Sequence, residues 1–177
     1  IGPGLAQDDW GAALFGAVCD VDLPRVLDAD ALNLLARDAQ RRADWVLTPH
    51  PGEAARLLQC NTRDIAANGY AAAAALVARY GGVSVLKGAG SIVCGEEGVD
   101  VVAGGNPGMA SGGMGDVLTG VIAALRAQGL SAFDAASHGA ALHAAAADAA
   151  AYAGGERGLL ASDLFDPLRR SVNAPGG

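Results

Sequence analysis

The sequence predicts an α/β fold with a mostly parallel sheet and an antiparallel edge. Short apolar runs alternate with segments of helical spacing, two neighbouring runs flank a hairpin-like turn, and a glycine-crowded loop passes straight into a helix. The chain has 177 residues, 51% hydrophobic and 18% charged, which suits a folded unit with a substantial core.

Asp8 and Asp9 are placed to cap a helix from about Trp10 to Val18, with Trp10, Leu14 and Ala17 on one face. Arg25-Val26-Leu27 reads as a strand ending at Asp28-Ala29-Asp30, and Ala31 to Arg41 as the next helix. Trp45 to Thr48 is a second strand. Pro49-His50-Pro51-Gly52-Glu53 breaks it, and Glu53 to Gln59 is helical. Asn61 or Thr62 caps a longer helix predicted to run to about Tyr80, where Gly81-Gly82 stops it. Val83 to Leu86 is a buried strand; Ser91 to Cys94 and Val99 to Val102 form a hairpin. A helix over Val117 to Ala127, a long alanine-rich one from Ser131 to about Tyr152, and a last one from Ser162 to Arg170 follow. The tail from Asn173 is expected to fray. At the other end, Ile1-Gly2-Pro3-Gly4 reads like the close of a buried strand entering a turn. The expectation is one partial domain over residues 1–177, with its N-terminal part missing from this sequence.

Composition excludes several classes. A net charge of −7 argues against a general nucleic-acid binder. No apolar run reaches membrane-spanning length, and the opening residues do not form a signal peptide. Cys19, Cys60 and Cys94 fit neither a disulfide framework nor a zinc spacing, so free thiols in a reducing cytoplasm are expected. His138 and His143 are off the spacing that puts two ligands on one helical face, and no metal site is predicted.

The loop Gly104 to Gly120, GGNPGMASGGMGDVLTG, has seven glycines in seventeen residues. Its amides, followed by a helix N-terminus with unpaired N–H groups, make an anion site best suited to phosphate. Asp116 would repel that phosphate unless a metal or a proton transfer involves it; the alternative is a simple helix cap. Ligands bind beyond the carboxyl ends of strands in such sheets. That places Gly2-Pro3-Gly4, Asp28 with Asp30, His50 with Glu53, and Lys87-Gly88-Ala89-Gly90-Ser91 around the loop. His50 is either a turn residue bonded to backbone or a donor aimed from a rigid turn. Glu53 fits a helix-start acid, and Lys87 either snorkels or meets phosphate. Asp28 and Asp30 could orient a substrate or a hydrated Mg²⁺, or cap a helix. The Walker, nucleophile-elbow and zinc-protease motifs are absent, and the dinucleotide fingerprint is incomplete.

The run from Gly105 to Gly120, the turn at Gly2-Pro3-Gly4, Leu27-Asp28-Ala29-Asp30-Ala31-Leu32, Leu47-Thr48-Pro49-His50-Pro51-Gly52-Glu53 and Leu86-Lys87-Gly88 resemble the ADP-dependent NAD(P)H-hydrate dehydratase family of the ribokinase-like superfamily. The resemblance covers almost the whole chain. It implies a three-layer α/β/α fold and a hydro-lyase that returns the S epimer of hydrated NADH or NADPH to the working cofactor. ADP would be the co-substrate, with Mg²⁺, and AMP and phosphate the products. It assigns Asp116 as the catalytic acid-base residue that also contacts the hydrated nicotinamide, and Gly2, Gly4 and His50 to the same substrate. Lys87, Gly88, Ala89, Gly90 and Ser91, with Gly115, fall around the AMP moiety, and Gly112 and Gly113 belong to the same phosphate loop. Fusion to, or pairing with, an NAD(P)H-hydrate epimerase is the implied partnership, and an alanine-rich helical surface permits self-association, as in a tetramer. The alternatives are a kinase of the same superfamily acting on a vitamin-precursor hydroxyl, and a non-catalytic nucleotide-binding module.

Overall fold

The computed structural model describes residues 1–173; the remainder of the tail expected to fray lies outside them. Five strands form one sheet in the order β1 (Arg25–Leu27), β2 (Trp45–Leu47), β3 (Val83–Leu86), β4 (Ser91–Gly95) and β5 (Gly98–Val102). The first three are parallel, and β4 and β5 add an antiparallel hairpin at the edge.

Alternation along the strands builds two cores. Leu27, Trp45, Leu47, Leu86 and Cys94 point to one face, while Val26, Val46, Val83, Val85 and Val93 point to the other. The first face is covered by α1 (Asp9–Asp20), α2 (Ala29–Arg37), α3 (Pro51–Leu58), α4 (Thr62–Ala67) and α5 (Gly69–Tyr80). The valine face is covered by α6 (Met114–Ala127) and α7 (Ala132–Gly154). A short 3-10 turn and α8 (Phe165–Val172) close against α7. The sheet is thus the middle of three layers.

Several expected boundaries shift, each for a local reason. The helix expected from Ala31 starts at Ala29, because the Asp28 carboxylate accepts the Ala29 N–H, and it ends at Arg37 rather than Arg41. The one expected at Glu53 starts at Pro51, since His50 is its cap and Glu53 closes a capping box. The single helix expected to reach Tyr80 is two. Asn68 leaves helical geometry, and its side chain accepts the Ala71 N–H to start α5 afresh. The last helix is preceded by a 3-10 turn over Ala161–Leu164. The face of α1 was misassigned. Trp10, Leu14 and Ala17 are exposed, and Gly11, Phe15 and Cys19, at i, i+4 and i+8, are buried.

Arg25 holds the end of α1 to the sheet. Its side chain is 3% exposed, and it donates to the carbonyls of Val18 and Cys19 while pairing with Asp44. Asp44 is more than a third exposed, so its Coulomb share is small. The carbonyls carry the argument: Arg25→Met strands that of Val18, while Cys19 O keeps its Arg42 donor, and the change should cost about 1–3 kcal/mol. A urea midpoint unchanged from the parent would refute this.

Candidate active site

The carboxyl ends of β1, β2 and β3 deliver Asp28, His50 and Lys87 to one place. Backbone bonds continue the strand ladder into the site, from Thr48 N–H to Leu27 O and from Lys87 N–H to Pro49 O. There a cavity of about 900 Å³ opens, lined by His50, Lys87 to Ser91, Val102 to Pro107, Met109 to Ser111, Met114, Gly115, Leu118 and part of α7. Its volume suits a nucleotide-sized ligand.

The glycine-rich loop behaves as its composition suggests. Gly113 takes φ of 85° at the cap of α6, and no side chain occupies the cap position. The N–H groups of Met114, Gly115 and Asp116 therefore have no intrahelical acceptor. Asn106 and Ser111 turn out to be struts. Asn106 accepts the Gly108 N–H and donates to Asp148, and the Ser111 hydroxyl donates to Leu159 O.

Lys87 is held from behind. Its Nζ lies 2.8 Å from Asp28 Oδ1 and 4.0 Å from Glu53 Oε2. A Cβ on Gly115 would stand 3.1 Å from that Nζ, so a glycine there lets the ammonium lie directly against the first turn of α6. Asp28 is 2% exposed. Burial raises its pKa, but the Lys87 charge and hydrogen bonds from Lys87, Thr119 and Ala29 prevail and hold it below the usual carboxylate value.

His50 is bonded to backbone as a turn residue, and its ring stands at the mouth of the cavity. Its Nδ1 accepts the Gly52 N–H at 3.0 Å, so in the neutral ring the proton sits on Nε2. Glu53 accepts the His50 backbone N–H at 2.8 Å, and its other oxygen lies 3.5 Å from His50 Nε2. The imidazole remains about half exposed at the cavity rim.

Of the expected site residues, His50, Lys87, Gly88, Ala89, Gly90, Ser91 and Gly115 line the cavity, while Gly112, Gly113, Gly2, Gly4 and Asp116 do not. Gly2 packs against the backbone of Asp28: at φ of 143°, a Cβ would fall 1.7 Å from Asp28 O. Asp30, considered for substrate or Mg²⁺, instead accepts from Ala6 N–H and the Gln7 amide and ties this turn down. Asp116 is exposed, and its carboxylate makes no hydrogen bond among the described residues. It lies at i−3 from Thr119, whose hydroxyl donates to Asp28 at 2.8 Å. Gly115 and Leu118, on either side of Asp116 in sequence, line the cavity.

Sequence reasoning missed Thr119 and His143. His143 lines the cavity from α7, is 6% exposed, and its Nε2 has no partner among the described residues. Burial pushes its pKa down, so the ring is neutral at pH 7. The available signal was its place on the buried stripe Gly139, His143, Ala146, Ala150 of α7. No three His, Cys, Asp or Glu side chains among the described residues are grouped to hold a metal ion.

A sequence model of NAD(P)H-hydrate dehydratase matches residues 1–170. The chain is 52% identical over 174 residues to the bifunctional NAD(P)H-hydrate repair enzyme of Coxiella burnetii, covering 98% of this chain and 36% of that protein. It is 41% identical to the ADP-dependent (S)-NAD(P)H-hydrate dehydratase of Neisseria meningitidis, over 96% of this chain and 60% of that one. The chain thus spans about a third of the length of the bifunctional relatives. Among solved structures, the ADP/ATP-dependent NAD(P)H-hydrate dehydratase of Bacillus subtilis, co-crystallised with ATP and Mg²⁺, superposes with a TM-score of 0.85 at 30% identity. That match covers 98% of this chain and 62% of the other, and the shared fold is ribokinase-like.

Proposed function

The chain belongs to the NAD(P)H-hydrate dehydratase family, and from that premise we propose that it takes part in the ADP-dependent dehydration of (S)-NAD(P)H hydrate. We read residues 1–177 as one ribokinase-like domain carrying the nucleotide end of the site and the acid beside it. The observation that carries the proposal is the glycine-walled cavity with Lys87 fixed against Gly115 and unpaired amides at the start of α6.

In this reading the diphosphate of ADP lies along Gly88 to Ser91 and the Gly113–Gly115 amides. Asp116 accepts the proton from the C6 hydroxyl of the hydrate as that oxygen attacks the β-phosphorus, and AMP leaves. The amides hold the charge spreading over the transferred phosphoryl oxygens. Phosphate then departs from C6, driven by the ring nitrogen lone pair, and loss of the C5 proton restores the dihydropyridine. His50, with its proton on Nε2, donates to the substrate from the rim.

Magnesium fits as an ion carried on the nucleotide, since such ions keep waters and phosphate oxygens as ligands. Asp28 and Glu53 already face Lys87, which leaves Asp116 as the free carboxylate to hold one of those waters. The ion would supply charge neutralisation on the phosphates. The relatives named as bifunctional support a working partnership with an epimerase activity, and three free thiols, two of them buried, suit a reducing cytoplasm.

The test is to follow dihydronicotinamide absorbance with hydrated NADH and ADP, and to measure AMP and phosphate. Absorbance should return with one AMP and one phosphate per cofactor. No recovery, together with ATP-dependent phosphorylation of an alcohol substrate, would favour the small-molecule kinase. AMP binding with neither turnover would leave a nucleotide-binding module.

A further inference from the structure

Lys87 is the only lysine in the sequence; every other cation is an arginine. Its ammonium is a compact point charge, where an arginine would present a planar fork. Its anchor is Asp28, and Asp28 is tied to more than the lysine. Its Oδ2 accepts from Thr119 Oγ1 at 2.8 Å, one turn beyond Gly115 on α6. Thr119 Oγ1 lies 3.4 Å from Thr48 Oγ1, which donates to Leu27 O at 3.1 Å. One buried carboxylate thus holds both walls of the phosphate end, the ammonium and, through the second turn, α6.

We propose that Asp28 is a positioning residue of the reaction, keeping Lys87 beneath Gly115 and the start of α6 at a fixed height over β1. The proposal rests on the reading of the cavity as the nucleotide site. A helix cap alone would need only the Ala29 N–H, which Asp28 also accepts. Glu53, 4.0 Å from the ammonium, is where Lys87 would swing if Asp28 lost its charge. Removing a negative charge beside phosphate does not weaken ADP binding electrostatically, so the loss falls on turnover. A displacement of the order of 1 Å at a reacting phosphoryl group costs roughly 10²-fold.

The experiment is the cycle Asp28→Asn, Lys87→Met and both, in the full chain. Asp28→Asn should lower kcat by roughly 10²-fold with the KM for ADP within about threefold of the parent. In the Lys87→Met background, where only the Thr119 contact is left to disturb, the loss in kcat should be smaller by about tenfold. Equal losses in both backgrounds, or a parental kcat in Asp28→Asn, would overturn the proposal. Should Asp28→Asn fail to fold, Thr119→Val removes only the hydroxyl and should still lower kcat; a parental rate there overturns it equally. A readout independent of turnover is the ammonium resonance of the sole lysine in ¹⁵N-lysine-labelled protein. It should be resolved in the parent and lost to fast exchange in Asp28→Asn; persistence counts against the role. A parent that shows the resonance but no dehydration would sink the proposed reaction and leave standing only the hold of Asp28 on Lys87.

Discussion

Asp116→Asn should lower turnover of hydrated NADH by about 10²- to 10⁴-fold while leaving AMP affinity within about threefold, the range expected when a general base loses its charge. The geometry explains the separation. Asp116 is the third residue of α6, exposed, with no partner for its carboxylate among the described residues. Gly115 and Leu118 wall the cavity and Asp116 does not, so AMP, which lacks the transferring phosphate, should not sense the change. Asparagine keeps the size of the side chain, and the lost dipole interaction in the first turn is about 0.3–1 kcal/mol, too little to unfold the protein. Single-turnover rates with AMP titrations check both halves. Parental turnover in Asp116→Asn would remove this residue from the chemistry.

The sheet was legible in the sequence because both its faces are buried. Strands such as Val83-Ser-Val-Leu86 must then be short apolar runs, and the residues that end them must be where the apolar run stops. That located Asp28, His50 and Lys87 without any knowledge of contacts. Other features depend on contacts and were not legible. The α1 face was misread because an apolar face and a buried one are not the same thing: Trp10 is exposed while Gly11 packs inside. The break at Asn68 lies within an alanine-rich pattern whose periodicity continues through it. Glu53 looked like a helix-start acid, and it is one, but its oxygens also reach His50 and Lys87. Thr119 is one hydroxyl in an apolar helix, and only the fold sets it against Asp28. The single lysine was visible in the composition from the start; its meaning appears once Gly115 and Asp28 are seen on either side of it.

Lys87→Met should destabilise the protein by an amount that depends on pH, and the sign of that dependence tests whether the ion pair holds the site together. In the parent, Asp28 has its pKa depressed below 3.8, because Lys87 and the hydrogen bonds outweigh burial. A depressed carboxylate contributes stability that is present above the unfolded value and lost as the pH falls through the folded one. Removing the ammonium reverses the balance. Burial then dominates, the folded pKa rises above the unfolded value, and stability is lost as pH climbs through the raised value. The two proteins should therefore converge only once the pH falls below the depressed folded value of Asp28, and diverge as it climbs from there toward 7. Breaking a buried pair by taking one partner typically costs about 3–5 kcal/mol. Protonation of Asp28 sets a ceiling: at about 1.36 kcal/mol per pH unit between its ordinary value and neutrality, the carboxylate's share cannot exceed roughly 4 kcal/mol. Urea midpoints for both proteins across that range measure the divergence. A gap that stays constant with pH would mean that Lys87 contributes by packing its stem, and Asp28→Asn would then fail to restore stability to Lys87→Met.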